Sequence, residues 1–396
     1  MSQSPLMPVY PPSPANFVEG RGVELFDDKG NRYLDFVAGI ATNCLGHASP
    51  ILVDALTKQA NKLWHVSNSY QTELQKTLAE KWTSVTFADV VFFTNSGTEA
   101  IEACLKTARK YHFEKGKPEK IDIIGFDGAF HGRSYGGINA AANPNYLHGF
   151  GPALPGFKQC KFGDLDALKA MIDEKTAGII LEPIQGEGGC RAATDEYLKG
   201  IRELCDANDI LLIYDEVQSG AGRSGKLFAH EWSGVTPDIM AAAKGIGGGF
   251  PMGACLATEK AAVGMVKGVH GSTFGGNPLA MAVGHAVFGE ITKPEFLENV
   301  NAMANSIAQA FEGLKDTYPE LIEEVRGKGL LRGIKLTIDP QIVRTKAFNN
   351  GLLVAVAGGN VLRVVPPLII TQDDVSEAVA ILDKALAETR EELKNK

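Results

Sequence analysis

Short apolar runs alternate with longer amphipathic stretches over most of this chain. "DVVFF" (89–93), "IDIIGF" (121–126), "AGIILEP" (177–183), "DILLIYDE" (209–216), "DIMAAA" (238–243) and "GACLAT" (253–258) each read as a strand that is apolar on both faces. Strands of that kind, separated by helical segments, predict a mainly parallel α/β sheet covered on both sides. Ahead of them, "VELFDDKGNRYLDF" sets two alternating apolar runs around Asp–Lys–Gly–Asn, which is hairpin chemistry. Beyond about residue 285 come a long amphipathic helix, "LLRGIKL", "NVLRVVPPL" and a charged final helix. The pattern predicts a Pro-rich arm and hairpin over 1–50, a large α/β domain over 51–285, and a small α+β domain over 286–396 that packs with the N-terminal hairpin.

Composition narrows the function. A chain of 396 residues with net charge −8 is poorly suited to binding nucleic acid. Its six cysteines (Cys44, Cys104, Cys160, Cys190, Cys205 and Cys255) stand singly with no CxxC, as buried thiols do, so neither a disulfide framework nor a metal site is expected. No run of ~18 apolar residues is present, so no membrane span is expected. The first residues lack a basic segment followed by an apolar core, and a cytoplasmic location is expected.

Open α/β sheets bind ligands beyond the C-terminal ends of their strands. In chain order those ends carry "TNSGTEA", "GFDGAFHGRSYGG", "EPIQGEGG", "DEVQSGAGRSG" and "KGIGGG". Together they make a crown of glycines, hydroxyls, acids, arginine and one lysine. "GAGRSG" (220–225) satisfies GxGxxG, but Asp215 and Glu216 end the strand before it, where they would repel a pyrophosphate. In the overlapping GxxxxGK, Leu227 stands where a Ser or Thr should hold magnesium. A loop that merely shapes the crevice is the simpler reading, with a nucleotide-binding protein as the alternative.

Lys244 follows an apolar strand with no acid within five residues. A lysine in such a setting has a lowered pKa and can form a Schiff base; a loop lysine that snorkels to water is the bland alternative. Asp215, at another strand end, could keep a heteroaromatic nitrogen protonated, or simply cap a helix. "NSGTEA" brings Ser96, Gly97 and Thr98 to a helix start with Glu99 in the first turn, which suits a phosphate or plain N-capping. An amine for an aldehyde, an acid for a pyridinium and a cup for a phosphate are the needs of pyridoxal 5'-phosphate.

With "FHGRSYGG", "EPIQGEGG", "YDEVQSGAGRSG", "KGIGGGFPMGA" and "STFGGNPLA" in that order, the chain resembles the class III pyridoxal-phosphate aminotransferases of fold type I, most closely those acting on acetylornithine. The resemblance implies that Lys244 carries the cofactor, Asp215 pairs with its ring nitrogen, Val217 and Phe130 flank the ring, and Gln218 bonds its phenolic oxygen. Glu216 is counted among the cofactor contacts. Gly97 and Thr98, with Ser96 beside them, would hold the phosphate. Thr273 would reach it from a partner subunit, which implies a homodimer.

Arg133, with Ser272 nearby, would bind the carboxylate of an acylornithine. Arg363 would bind the α-carboxylate of glutamate, with Glu187 as its stand-in partner; ordinary ion-paired arginines are the alternative. Ile40 stands where ornithine aminotransferases have a tyrosine, which disfavours a free α-amine; an isoleucine is equally an ordinary core residue. The implied reaction passes the amine of N2-acetyl-L-ornithine to 2-oxoglutarate. Succinylornithine, succinyl-diaminopimelate and 4-aminobutyrate are alternative donors. Ile101 and Lys335 depart from the family pattern, and Lys335 is expected to be exposed.

Overall fold

Strand residues point alternately to opposite faces, and the central sheet separates its apolar residues accordingly. In the computed structural model, which describes residues 5–395 apart from Pro12 and Ala142, Leu212, Tyr214, Met240 and Ala242 join one buried cluster, while Leu211, Ile213, Ile239 and Ala241 join a second. Seven strands make up this sheet, in the spatial order Val90–Thr94, Gly253–Ala257, Ile239–Ala243, Leu211–Asp215, Thr176–Leu181, Asp122–Phe126, Phe157–Cys160. All six anticipated strands are present, and Phe157–Cys160 is an addition; "FKQC" has too little apolar alternation to announce itself. Gly253–Ala257 runs antiparallel to both neighbours, and the other pairings are parallel. Val90–Thr94 is an edge strand and pairs only with Gly253–Ala257.

One face of the sheet is covered by the helix Gly97–Glu114. Alongside Ile101, Leu105 and Tyr111 its buried side carries several small residues (Ala100, Ala103, Cys104, Thr107 and Ala108), which let its backbone approach the strands. The other face packs against larger groups, including a ring cluster in which Trp82 meets Phe288 edge-on at 5.0 Å and Phe228 at 5.9 Å.

The chain ends meet each other. Phe17–Arg21, Glu24–Asp27 and Arg32–Asp35 form an antiparallel meander, joined in parallel by Leu352–Leu353. Its turn is held by Asp27, whose carboxylate accepts from the backbone N–H of Lys29 and Asn31 at 3.0 and 2.8 Å. A four-stranded antiparallel sheet follows, in the order Ile322–Lys328, Leu331–Leu336, Val361–Val364, Ala355–Ala357. Lys335 is not free in water as expected: its side chain is about three-quarters covered and pairs with Glu323 at 2.5 Å across the strand pair. Among the described residues no helix is long and apolar enough to cross a membrane.

Gly125 marks how closely elements approach behind the crevice. A Cβ there would lie 2.0 Å from the carbonyl oxygen of Ala140 in the helix Tyr135–Ala141. Backbone cannot yield as a side-chain tip can, so Gly125→Ala is expected to cost roughly 1–3 kcal/mol or more. A lower melting temperature in thermal unfolding checks this; an unchanged one refutes it.

Candidate active site

Strand ends and a helix start enclose a cavity of about 290 Å³ whose wall includes Lys244, Asp215, Glu182, Glu187, Phe130 and the Asn95–Thr98 turn. Asp215 ends Leu211–Asp215 and is buried. One of its oxygens lies 2.8 Å from His131 Nδ1, and the other accepts from the N–H of Val217 at 3.0 Å. A carboxylate only accepts, so Nδ1 carries the proton. Burial opposes charge on His131, but the hydrogen bond and negative charge of Asp215 outweigh it and raise the His131 pKa. Its Nε2 is buried with no partner among the described residues.

Lys244 follows Ile239–Ala243 at φ 48, a left-handed conformation that a non-glycine residue adopts only under constraint. Among the described residues nothing accepts a hydrogen bond from its amine. Burial pushes its pKa down to about 8, aided by the charge of Arg363 and opposed by Glu187, Asp215 and Glu182. Glu182, the first residue past Thr176–Leu181, is pushed up to about 8 by burial and then by the charge on Asp215. Its oxygens accept from the N–H groups of Phe130 at 3.1 Å and Gly186 at 3.4 Å, which ties two loops of the wall together.

Arg363 lies on Val361–Val364 with its side chain only 1% exposed. Its Nη1 is 2.6 Å from a Glu187 oxygen and donates to Gln218 Oε1 at 3.1 Å. The anticipated Arg363–Glu187 pair is formed, and Gln218 is engaged with the same guanidinium.

At the helix start, the hydroxyl of Ser96 accepts from the N–H of Glu99 at 3.2 Å, and the Glu99 carboxylate accepts from the N–H of Asn95 at 2.5 Å. Ser96 is therefore a helix cap. The N–H groups of Gly97 and Thr98 have no acceptor among the described residues and remain available to an anion. Gly97 is small for a packing reason as well, since a Cβ would lie 2.7 Å from Val217 Cγ1.

Several anticipated residues lie elsewhere. Glu216 is turned away from the cavity: its carboxylate accepts from Ser219 Oγ (2.7 Å) and from the N–H groups of Ala229 and His230 (2.8 Å each), fastening the following loop. Direct cofactor contact is thereby corrected to a supporting role. Ser272 bonds Gly275 N–H and Asn95, while Thr273 is exposed and lines no part of this cavity. Arg133 lines an adjoining cavity. Ile40 is not a core residue: it is 39% exposed and sits at φ 60 within Ala38–Ala41, where Ala38, Gly39 and Ala41 are left-handed too. Ile101, the departure from the family pattern, is buried and forms part of the cavity wall.

The 220–226 loop gives no phosphate site. Arg223 fills it from within, 2% exposed, its Nη1 donating to the carbonyls of Leu330 (3.2 Å) and Pro366 (2.5 Å). Only a four-residue 3-10 turn, Ala229–Trp232, follows, where a dinucleotide motif needs a long helix. Sequence reasoning passed over His131 and Glu182. Glu182 could have been found by the strand-end rule; His131 gave no signal, because its partner lies far along the chain.

The residues present fit pyridoxal phosphate: a desolvated amine without a partner, a carboxylate held by His131, and free helix N–H groups share one cavity. A model of the family described as Aminotransferase class-III matches residues 8–386. Acetylornithine aminotransferase 2 of Caulobacter vibrioides is 56% identical over 391 residues, covering 98% of this chain and 96% of that protein. Among solved structures, N-acetylornithine aminotransferase from Stenotrophomonas maltophilia aligns with TM-score 0.84 at 38% identity, covering 96% and 97% of the two chains. Ornithine aminotransferase from Toxoplasma gondii aligns with TM-score 0.94 at 31% identity, covering 98% and 93%.

Two predictions follow from the geometry. A pKa of about 8 against the ordinary 10.5 leaves Lys244 with about 300-fold more free amine at pH 7 than an unperturbed lysine. The cofactor-free protein should therefore take up pyridoxal phosphate at a rate that climbs about tenfold per pH unit below 8 and levels off above it. A rate still climbing steeply at pH 9.5 contradicts this. Ile40→Gly should raise stability by about 1 kcal/mol by removing a left-handed β-branched residue, read as a higher melting temperature.

Proposed function

The chain belongs to the class III aminotransferases, enzymes that use pyridoxal phosphate, and we propose that it passes the side-chain amine of N2-acetyl-L-ornithine to 2-oxoglutarate. The products are N-acetyl-L-glutamate 5-semialdehyde and L-glutamate, a step of arginine biosynthesis. The observation that carries this reading is a buried arginine, Arg363, whose removable partner, Glu187, lines the cavity that holds Lys244. Identity of 56% to an acetylornithine aminotransferase supports the choice of donor, whereas overall shape is shared with ornithine aminotransferases and does not choose.

When bound, pyridoxal phosphate supplies an aldehyde that condenses with amines and a protonated ring that draws electrons from the adjacent carbon. Lys244 would hold the cofactor through its amine and, when that amine is free, would move the proton at the reacting carbon, a task suited to a base with pKa about 8. Asp215, oriented by His131 Nδ1 and the N–H of Val217, would stabilise a proton on the ring nitrogen. Gly97 and Thr98 would donate backbone N–H groups to the phosphate, and Phe130, Val217 and Gln218, which line the same cavity, would hold the ring.

Arg363 binds the α-carboxylate of glutamate or 2-oxoglutarate. Glu187 swings in to neutralise the guanidinium when that carboxylate is absent, because an unpaired buried charge is costly. Glu187 is partly exposed and Arg363 is not, so Glu187 is the member that moves. Arg133 takes the carboxylate of the acylornithine, and the apolar side chain of Ile40 offers no partner to a free α-amine. The enzyme acts in the cytoplasm as a homodimer, in which Thr273 of each subunit completes the phosphate site of the other. Residues 51–285 form the cofactor-holding domain, and the two chain ends form the small one.

The test is an absorption spectrum of the holoenzyme with each donor in turn. Glutamate and acetylornithine should each convert the visible-edge band to the amine form of the cofactor, and Lys244→Ala should abolish turnover with both. Arg363→Ala should raise the KM for glutamate and 2-oxoglutarate at least tenfold, with a much smaller change for acetylornithine. A protein that answers glutamate but not acetylornithine refutes the donor.

A further inference from the structure

A second cavity of about 460 Å³ adjoins the Lys244 cavity, lined by Val9, Tyr10, Arg133, Tyr135, Ile138, Tyr146 and Phe150. The two share a wall. Phe130, which bounds the first, meets Tyr146 of the second edge-on at 5.9 Å, and the Arg133 guanidinium lies 4.0 Å from the Tyr146 ring centre and 5.6 Å from that of Phe130. The charge of Glu187, in the wall of the first cavity, reaches the Tyr146 phenol.

The compartment has an unusual balance. Three tyrosines, a phenylalanine, an isoleucine and a valine surround one cation. Arg133 has no acidic partner and no hydrogen bond among the described residues; aromatic faces alone hold it. Tyr135 and Phe150 are 57% and 61% exposed although both are large and amphipathic or apolar. A stacked guanidinium accepts a carboxylate in its plane while its faces stay covered, so one anion satisfies this site and a second finds no partner.

We propose that this compartment receives the N2-acyl group of the amino donor and is built for neutral, flat, apolar acyl groups larger than acetyl, aryl groups included. The inference rests on the acylornithine reading above. In an acylornithine the reacting amine and the acylated amine sit at opposite ends of a three-methylene chain, so with one end at Lys244 the other projects outward. The α-carboxylate then occupies Arg133 and the acyl group meets the rings. Acetyl fills little of about 460 Å³. A planar aryl group can stack on Tyr135, Tyr146 or Phe150. A succinyl group brings a second carboxylate into a chamber whose single cation is already used, and burying an unpaired charge is penalised.

The experiment compares kcat/KM of the holoenzyme for N2-acetyl-, N2-benzoyl- and N2-succinyl-L-ornithine, with 5-aminopentanoate as a donor that lacks any acyl group. Benzoylornithine is expected within tenfold of acetylornithine and at least tenfold above succinylornithine. Tyr135→Arg, at an exposed position that tolerates charge, adds the missing cation and should raise the succinyl-to-benzoyl ratio at least tenfold. Phe150→Ala should lower the benzoyl-to-acetyl ratio at least fivefold. Benzoylornithine more than tenfold below acetylornithine, succinyl equal to benzoyl, or ratios unmoved by both variants overturns the compartment while leaving the acetylornithine reading intact. Conversion of 5-aminopentanoate but of no acylornithine overturns both.

Discussion

Everything at this site depends on keeping water from one amine. Lys244 is a useful nucleophile near neutral pH because burial makes its charge expensive, and its neighbours hold that burial in balance. Three carboxylates, Asp215, Glu182 and Glu187, would restore the charge if each were fully ionised and free to approach. Asp215 is tied to His131, Glu182 has its proton held by burial, and Glu187 is turned to Arg363. Gly97, Thr98 and Ile101 of Gly97–Glu114 serve the same end, since they help wall the cavity without giving the amine a partner.

Charge at the mouth of the site follows a related logic. Arg363 is nearly inaccessible, and a guanidinium so placed must always be paired. Its partner is a residue of the flexible kind, a glutamate on a glycine-flanked turn whose carboxylate remains partly in water. Carboxylate substrates and Glu187 thus compete for one position, and the protein need not deform its core to exchange them. Arg133 represents the opposite solution. It is held by rings instead of by an acid, so an incoming carboxylate has nothing to displace.

Much of this was legible in the sequence, for physical reasons that can be named. Strands buried on both faces, such as Ile239–Ala243, stand out because no polar residue interrupts them, and the strand-end rule then led to Asp215 and Lys244. The pairing of Arg363 with Glu187 came through family likeness, because no spacing rule connects residues so far apart in the chain. Glu216 was misjudged because it sits next to Asp215, and a strand throws neighbouring side chains to opposite faces. The backbone at Ile40 was not legible because an apolar letter says nothing about backbone sign; four left-handed residues in a row have no compositional signature beyond Gly39. Phe157–Cys160 was missed because an edge strand needs only one apolar face.

The reversed strand Gly253–Ala257 has a consequence for the chain as it is being made. Val90–Thr94, which leads into the phosphate cup, has no other partner in the sheet. Translation at about 5–20 residues per second means that the ribosome works for on the order of ten seconds or more between the two strands. Throughout that interval "VVFFT" is an open, apolar edge of the sort that recruits foreign strands. The cofactor's anchor and the partner strand of that segment therefore arrive together, in a single late stretch of synthesis, and a nascent chain stalled before residue 253 is both inactive and exposed to aggregation.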